Sequence, residues 1–171
     1  MLFQACAGPD LKIYDIVCRY PGSTHDATIF NNSTLKIRLQ SGMLQGLLLG
    51  DKGYPCKEYL LTPLHVARTL PEERYNSALC QTRNTVERTF GVWKRKFPCL
   101  KRTLATKLRT TTAIIIATAI LHNIHRQYAV EEDEEEEHEE NDAIEDVVHR
   151  LEARNASGLA FRDTFIQNEF S

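Results

Sequence analysis

The sequence predicts a mixed α/β fold, built as one principal domain with an appendage. Three observations lead to this prediction: two short β-rich runs at the start of the chain, a continuous apolar run within its first third, and two long helical patterns that follow. The predicted order is hairpin, helix, central strand, loop and two helices, with no internal repeat. A length of 171 residues with 42% hydrophobic residues suits such a soluble domain.

The first predicted elements are a β-hairpin and a helix. Leu2–Ala7 and Leu11–Arg19 are rich in apolar and β-branched residues, and the turn residues Gly8-Pro9-Asp10 join them. A helix with a Ser or Thr cap is then expected over residues 23–40. The Asn31-Asn32 pair allows a break within this helix.

A central strand and a long loop are expected next. Leu47–Leu49 form a continuous apolar run, which is the pattern of a fully buried strand, and Asp51 stands at its end. Residues 55–76 are punctuated by prolines and predict a loop. The pattern therefore places an acidic side chain at the end of a buried strand.

Two long helices complete the predicted domain. The first is expected over Ser77–Phe97, and its apolar residues lie on one face at helical spacing: Val86, Phe90, Trp93 and Phe97. Pro98 ends this helix, and Glu87 lies one residue away from the apolar face. The second helix is expected over Thr110–Gln127 and is apolar on most sides, so it should be buried.

Charge divides the chain into a basic body and an acidic tail. Residues 1–130 contain 18 Lys and Arg against 8 Asp and Glu, whereas residues 131–171 contain 3 against 15. A basic body favours a polyanionic partner, with nucleic acid as the default, although a solvated basic surface fits the charge alone equally well. We expect a domain over 1–129, an acidic disordered linker over 130–146, and a tail over 147–171 with room for one short helix.

Cysteine usage and the start of the chain bear on its location. The five cysteines are scattered, form no Cys-x-x-Cys pair and are odd in number, which favours free thiols in a reducing compartment. The first residues lack the pattern of a signal peptide, and the longest apolar segment is far shorter than the ~20 residues that span a bilayer. The expected location is the nucleus or the cytoplasm, with no membrane partner.

Asp51 and Glu87 are candidate ligands of a divalent metal. Glu87 is the only acid between Glu73 and Glu131, within a stretch crowded with Lys and Arg. Phosphodiester hydrolysis can use two Mg²⁺ or Mn²⁺ ions about 3.5–4 Å apart, held by carboxylates on rigid strands and helices. Spacing alone favours a simpler interpretation, in which Asp51 forms a turn and Glu87 pairs with neighbouring arginines.

Histidines and cysteines offer weaker candidate sites. His122 and His125 are three residues apart and could bind a metal, but their position at the end of a buried helix favours packing or capping. The later cysteines have no evident His–Asp partners for nucleophilic chemistry: Cys56, Cys80 and Cys99. The sequence also lacks a glycine-rich phosphate loop.

Six short motifs stand in a fixed order along the chain: Pro21-Gly22-Ser23-Thr24-His25-Asp26, Leu48-Leu49-Gly50-Asp51-Lys52-Gly53-Tyr54-Pro55, Leu61-Thr62-Pro63, Arg74-Tyr75-Asn76, Asn84-Thr85-Val86-Glu87-Arg88-Thr89-Phe90-Gly91 and Leu121-His122-Asn123-Ile124. Over residues 2–128 this series resembles the catalytic domain of the PIF/Harbinger superfamily of transposases and of the domesticated Harbinger transposase-derived nuclease. One motif alone has little specificity, whereas the ordered series is specific.

The resemblance implies a ribonuclease-H-like mixed sheet flanked by helices, in which two aspartates and a glutamate bind Mg²⁺ or Mn²⁺. By this resemblance Asp51 is the second aspartate and Glu87 the glutamate, and both are the expected catalytic residues. Asp26 matches a further acid and is either an additional metal ligand or a helix-start residue. The family's first aspartate lies on a strand with an Asp-Gly-Thr-His motif, which no segment of this chain matches. The fold is therefore expected without its first strand, and catalytic activity stays open.

Basic residues around and after Glu87 are expected to bind DNA: Arg83, Arg88, Lys94, Arg95, Lys96, Lys101 and Arg102. Such contacts neutralise phosphates without reading sequence and weaken with salt. The leading hypothesis is a metal-dependent nuclease that hydrolyses DNA phosphodiester bonds. The alternative is a catalytically inactive, domesticated DNA- or chromatin-binding module. The acidic tail is expected to contact basic proteins or the chain's own basic body, and the resemblance implies a Myb-like DNA-binding protein as a partner.

Overall fold

The computed structural model describes residues 2–102, 104–129 and 158–171. The described residues form a mixed α/β structure, which confirms the predicted class. They divide into two compact units: unit 1 contains residues 2–30 and 84–129, and unit 2 contains residues 31–83 and 158–171. The single domain expected over 1–129 thus covers parts of both units, and the linker expected over 130–146 lies outside the described residues.

Unit 1 begins with the predicted hairpin. Strand β1 (Leu2–Ala7) pairs antiparallel with strand β2 (Ile13–Tyr20). In the turn, the Gly8 N–H donates to the Lys12 carbonyl oxygen (3.1 Å), and the Leu11 N–H donates to the Gly8 carbonyl oxygen (3.0 Å). Leu11 adopts a left-handed φ of 59°, which is unfavourable for a residue with a Cβ and requires support from the surrounding structure.

The helix expected over residues 23–40 is two helices. Helix α1 (Asp26–Asn31) ends at the boundary of unit 1, and helix α2 (Thr34–Gln40) lies in unit 2. The second helix starts at Ser33, whose hydroxyl oxygen accepts a hydrogen bond from the Lys36 N–H (3.1 Å). This is the geometry of an N-cap, which begins a new helix instead of continuing the old one. The break that the sequence allows near Asn31-Asn32 is confirmed.

Two long helices complete the described part of unit 1. Helix α3 (Leu70–Lys96) starts in unit 2 and belongs to unit 1 from Asn84 onwards. It ends before Pro98, as predicted, and a 3₁₀ turn (Pro98–Lys101) leads towards helix α4 (Leu108–Ala129). The α4 bounds lie close to the predicted ones, within the usual uncertainty of helix ends.

The core of unit 1 forms around Trp93, whose side chain is 0% exposed. The Phe3 ring of β1 makes edge contacts with the Phe90 ring at a centroid distance of 5.6 Å and with the Trp93 ring at 5.7 Å. Other buried residues come from β2 and α4: Ile13, Cys18, Ile115 and Ala119. The apolar face predicted for α3 is confirmed, because Phe90 and Trp93 both lie in this core.

Helix α4 is buried on one side only. Ile115, Ala119 and His122 are buried, whereas four large apolar residues on the remaining surface are 39–54% exposed: Ile116, Ile120, Leu121 and Ile124. The prediction of a buried helix is wrong for that surface, because a two-stranded hairpin is small and a helix packs on it along one stripe. No helix among the described residues is long and apolar enough to cross a membrane.

The end of α4 holds the β1–β2 turn in place. The buried His122 ring donates from Nε2 to the Leu11 carbonyl oxygen (2.8 Å). Asn123 binds the Ile13 backbone twice, accepting its N–H at Oδ1 (2.8 Å) and donating from Nδ2 to its carbonyl oxygen (2.7 Å). These contacts lie on both sides of Lys12 and support the left-handed backbone at Leu11.

Burial lowers the pKa of His122 below its ordinary value of 6.5, and this is the largest influence on the group. The hydrogen bond to the Leu11 carbonyl oxygen opposes the shift, while the positive charges of Arg126, His125 and Lys96 add to it. The second ring nitrogen, Nδ1, has no hydrogen-bond partner among the described residues. Protonation would therefore place an unpaired charge in the interior.

His122 should make the stability of the chain depend on pH. Its folded-state pKa is below the unfolded value, so the folded state binds fewer protons in this range. The stabilisation is complete above the unfolded pKa and is lost as the pH falls from about 6.5 towards the folded pKa. Urea unfolding between about pH 7.5 and pH 5.5 measures the loss. His122→Gln, which keeps an N–H donor, should flatten this dependence, whereas His65→Gln at an exposed position should not; equal slopes would contradict the assignment.

Unit 2 contains a second small sheet. Strand β3 (Leu48–Leu49) pairs in parallel with strand β4 (Leu60–Leu61). The strand expected over Leu47–Leu49 is confirmed in position, but its side chains are half-buried rather than fully buried. The loop expected over 55–76 is wrong in two parts, since it contains β4 and the start of α3. A strand of two residues is too short to show a period, so periodicity cannot reveal β4.

Helix α3 begins at Leu70, seven residues before the predicted start at Ser77. The Thr69 hydroxyl oxygen accepts a hydrogen bond from the Glu72 N–H (3.4 Å), and Glu72 places negative charge in the first turn. Pro71 also lies in this first turn, where its missing N–H needs no partner. Pro71 considered alone indicates a loop, whereas the Thr-x-x-Glu pattern around it indicates a helix start.

A second core holds unit 2 together and includes the last helix, α5 (Gly158–Phe170). Ile166 of α5 is buried with residues of β4 and α3: Leu61, Tyr75 and Leu79. Tyr75 is 2% exposed and donates from its hydroxyl to the Thr62 carbonyl oxygen (3.0 Å). The last helix lies within the tail expected over 147–171 and belongs to the unit 2 core. The short helix that the sequence allows in this region falls on residues 143–155, which lie outside the described residues.

The ribonuclease-H-like sheet that the resemblance implies is not established by these elements. The described strands form two separate two-stranded sheets, β1–β2 in unit 1 and β3–β4 in unit 2, instead of one mixed sheet. The structure establishes the mixed α/β class, with small sheets and several helices.

Candidate active site

Asp51 follows β3 after a single glycine, and the turn that it begins fixes its carboxylate. Oδ1 accepts the Gly53 N–H (2.8 Å), and the Asp51 carbonyl oxygen accepts the Tyr54 N–H (3.2 Å). This is an Asx turn, in which an Asp side chain bonds the backbone two residues further on. The Asp51 side chain is 43% exposed, so the carboxylate is fixed in direction and open to solvent.

Glycines on both sides of Asp51 make this turn possible. A Cβ on Gly50 would lie 3.1 Å from the Tyr54 ring, and a Cβ on Gly53 would lie 3.0 Å from Asp51 Oδ1. The Gly50 N–H also donates to the Leu61 carbonyl oxygen (2.8 Å), which ties the residue before Asp51 to the sheet. Both glycines therefore have a local structural reason: Gly50 packs closely against the Tyr54 ring, and Gly53 packs closely against the Asp51 carboxylate.

Arg83 is the predicted site residue that the structure brings next to Asp51. Its Nη2 lies 3.9 Å from Asp51 Oδ2, and its side chain is 30% exposed. An ion pair of this length and exposure contributes only about 0–1 kcal/mol to stability. Arg83 was expected as a DNA-binding neighbour of Glu87, and the contact with Asp51 is a finding that the sequence does not indicate.

Glu87 lies on the part of α3 that belongs to unit 1, and its side chain is exposed. The helix around it is well anchored. Thr89 is 0% exposed and donates from Oγ1 to the Thr85 carbonyl oxygen (2.8 Å), and Phe90 packs against Phe3. Glu87 is therefore a carboxylate presented to solvent by a rigid helix.

Asp26 is the first residue of α1, and its side chain is exposed. Its carbonyl oxygen accepts a hydrogen bond from Gln4 Nε2 (3.2 Å), which links the start of the helix to β1. A carboxylate in the first turn suits the positive end of the helix dipole, so a structural role accounts for this position. The role of Asp26 as a metal ligand stays a prediction.

The donor chemistry of the three acids fits a hard divalent cation, since Mg²⁺ and Mn²⁺ bind carboxylate oxygens. Asp51 belongs to unit 2, whereas Asp26 and Glu87 belong to unit 1. Over residues 2–102, 104–129 and 158–171, no group of three or more His, Cys, Asp or Glu side chains is placed to hold a metal. A shared metal site of the three acids therefore stays a prediction as well.

The basic residues that are expected to bind DNA are called the basic band below, and those in unit 1 are accessible: Arg88, Lys94, Arg95, Lys96, Lys101 and Arg102. Lys94 lies in the last turn of α3, with its Nζ 5.6 Å from the centre of the Phe90 ring. The other members of the band in this unit are exposed on α3 or after it. Exposed cations in such a group can bind successive phosphate oxygens.

The structure shows the surroundings of the weaker candidates, which are the histidines and cysteines. His122 is 0% exposed, and its Nε2 is occupied by the Leu11 carbonyl oxygen, which is the packing role that its position favours. All five cysteines are free thiols. Burial, followed by the negative charge of Asp15, raises the pKa of the Cys6 thiol to about 11. A thiol with such a pKa is almost entirely protonated at neutral pH and is a poor nucleophile.

Residues 1–123 match the family described as DDE superfamily endonuclease. The chain belongs to this family. The matched residues are well over half of the chain and include Asp26, Asp51 and Glu87. Endonucleases of this family are typically metal-dependent. The sequence resemblance to Harbinger-derived proteins is thereby confirmed at the level of the family.

Individual relatives agree with this family. Proteins named "Putative nuclease HARBI1" from Bos taurus and Homo sapiens are each 34% identical over 116 residues, which are 66% of this chain and 33% of the relative. "Protein ALP1-like" from Arabidopsis thaliana is 24% identical over 140 residues, which are 72% of this chain and 34% of the relative. The chain thus spans 33–34% of the length of these relatives. No solved structure matches the chain.

Proposed function

We propose that this chain is a divalent-metal-dependent nuclease that hydrolyses DNA phosphodiester bonds. Membership of an endonuclease family carries the proposal, because the matched residues 1–123 contain all three candidate acids. The geometry of Asp51 supports it, since a carboxylate that is fixed by an Asx turn and open to solvent is suited to metal binding.

Asp51 and Glu87 would hold the cation, with Asp26 as a further ligand. A bound Mg²⁺ or Mn²⁺ supplies an activated water and stabilises negative charge on the phosphate oxygens. Asp51 keeps Oδ1 on the Gly53 N–H, which leaves Oδ2 available on the side of Arg83. The Arg83 guanidinium balances the charge of Asp51 and is long enough to turn to a phosphate oxygen.

The wider assignment follows from the basic band and the family. Its exposed cations would bind the DNA backbone, and the Lys94-Arg95-Lys96 run would serve nuclear import, with the cytoplasm as the other location. A ribonuclease-H-like fold and a Myb-like DNA-binding partner belong to the same proposal. Both rest on the Harbinger resemblance.

Cleavage by acid variants tests the proposal. Glu87→Gln and Asp51→Asn keep the shape of each side chain but remove a metal-binding charge. Each should lower the rate of DNA cleavage in Mg²⁺ or Mn²⁺ by at least about 100-fold, since losing a residue that only orients a metal ligand already costs about 10–100-fold. DNA affinity measured with the metal chelated should change little. Glu73→Gln, an exposed acid on the same helix, is the matched control and should cleave normally.

The outcomes of this cleavage assay distinguish a nuclease from a catalytically inactive binding module. Equal cleavage by the wild-type chain and both acid variants would overturn the assignment of Asp51 and Glu87. DNA binding by the wild-type chain without cleavage in either metal would favour the inactive DNA- or chromatin-binding module. Binding of that kind should weaken steeply with salt, because it rests on phosphate contacts.

A further inference from the structure

Helix α5 lies beyond the residues that match the family and yet packs on the segment that carries Asp51. The family match ends at residue 123, and α5 spans Gly158–Phe170. Both α5 and Asp51 belong to unit 2. The contacts of α5 fall at three places in unit 2: the chain between β3 and β4, the end of β4, and the apolar core that α5 shares with α3.

The first contact joins the start of α5 to Cys56 and Lys57. The Cys56 thiol donates to the Gly158 carbonyl oxygen (3.3 Å). Gly158 lies so close to the chain that a Cβ on it would be 2.5 Å from the Cys56 carbonyl oxygen and 2.7 Å from the Lys57 backbone nitrogen. Only a residue without a side chain fits this approach. Lys57 also exchanges backbone hydrogen bonds with Leu60 (2.8 and 3.0 Å), so the start of α5 rests on a closed turn.

The second contact is at the end of β4. The Thr62 carbonyl oxygen accepts hydrogen bonds from Arg162 Nη1 of α5 (3.4 Å) and from the Tyr75 hydroxyl of α3 (3.0 Å). One backbone oxygen thus receives a donor from each of the two helices. Because β4 pairs with β3, whatever fixes Thr62 also fixes the strand that leads into Asp51.

The third contact is apolar. Ile166 is 5% exposed, and the Phe165 and Phe170 rings make edge contacts with the Tyr75 ring at centroid distances of 6.3 and 5.8 Å. Leu47 and Leu49, which flank and form β3, pack against this same cluster. The apolar side of α5 and the strand that precedes Asp51 therefore pack against the same buried cluster, which includes Leu61 of β4.

We infer that α5 is a positioning element for Asp51. It fixes both ends of the segment from Gly50 to Lys57. At one end it acts through β4 and the shared core, against which β3 packs, and at the other end it contacts Cys56 and Lys57. Within that segment the Gly53 N–H sets the direction of the Asp51 carboxylate. The expected effect of α5 on metal-dependent cleavage rests on the proposed nuclease function. The effect of α5 on residues 50–57 can be measured without any activity.

Gly158→Ala is the test, made in the whole chain. The added Cβ must push α5 and the Cys56–Lys57 backbone apart, because both sides of the contact are backbone. Hydrogen–deuterium exchange of residues 50–57 should become about 10-fold faster or more, while exchange in β2 and α4 stays unchanged. Gly22→Ala is the matched control, since a Cβ there meets no atom within 4 Å. Arg162→Ala provides a second, milder variant that should change exchange in the same direction.

Metal dependence gives the second readout. If α5 positions a metal ligand, Gly158→Ala should raise the Mg²⁺ concentration needed for half-maximal cleavage, with DNA affinity in chelator unchanged. Unchanged exchange of residues 50–57 in both α5 variants would overturn the inference. Faster exchange together with an inactive wild-type chain would support the positioning role and count against the nuclease function, so the two failures are distinguishable. Faster exchange with an unchanged metal requirement in an active chain would overturn the positioning of Asp51.

Discussion

Trp93→Ala is expected to lower the free energy of unfolding by about 3–5 kcal/mol, the usual cost of removing a buried large aromatic side chain. Trp93 is 0% exposed, and its ring contacts the Phe3 ring of β1 edge-on. Ile115 and Ala119 of α4 belong to the same core. The substitution would therefore leave a cavity where β1, α3 and α4 meet, and these elements can close it only in part.

Urea unfolding followed by far-UV circular dichroism measures this loss, because Trp93 is the only tryptophan and its fluorescence disappears with the substitution. Trp93→Phe is the matched control. It keeps most of the aromatic volume and removes an indole N–H that has no hydrogen-bond partner among the described residues. Its loss of stability should be clearly smaller than that of Trp93→Ala. Equal stability of the two variants would contradict the central position of Trp93 in the core.

The parts of the fold that the sequence predicts are those with a strong local signal. The hairpin has β-branched runs around a turn, and α3 has a helical stripe that ends in Phe97, directly before a proline. β4 has only two residues and no period, so it depends on its partner β3. The start of α3 does carry a local signal, in Thr69 and Glu72, but Pro71 obscures it.

Helix α5 shows a different limit of prediction from the sequence. Its apolar residues Phe161, Phe165 and Phe170 are visible in the sequence, but nothing near them in the chain indicates that they belong to the unit 2 core. The residues that receive it are about 100 positions away in the chain, as in the contact between Arg162 and Thr62. Local patterns describe an element and its apolar side, but they do not identify the surface that it covers.

The candidate site also has features that the sequence predicts and features that it does not predict. The chemistry of Asp51 and Glu87 is predictable from residue types, because carboxylates on a strand end and on a helix are what a hard cation requires. The ion pair of Asp51 with Arg83 is not predictable, since it joins residues 32 positions apart and the sequence places Arg83 next to Glu87. The Asx turn at Gly53 is predictable in part, because it is a local contact within a recognisable motif.

Asn123→Ala is expected to lower the free energy of unfolding by about 2–3 kcal/mol, because it leaves two backbone groups of Ile13 without partners. The Ile13 N–H and carbonyl oxygen are both bound by the Asn123 amide, at 2.8 and 2.7 Å. Alanine is the better helix former by up to about 0.7 kcal/mol, which offsets only part of this loss. The effect should therefore exceed what an exposed polar-to-alanine change on a helix can produce.

The same substitution should also loosen the β1–β2 turn, which no general loss of helix stability would do. Leu11 keeps its left-handed backbone through the contacts that α4 makes on either side of Lys12, and Asn123 supplies two of them. Hydrogen exchange at Gly8–Ile13 should thus rise more in Asn123→Ala than in Gln127→Ala, an exposed control one turn later on α4. Equal exchange in the two variants would show that the turn holds its strained conformation without α4, and the Leu-His-Asn motif would then need another physical reason.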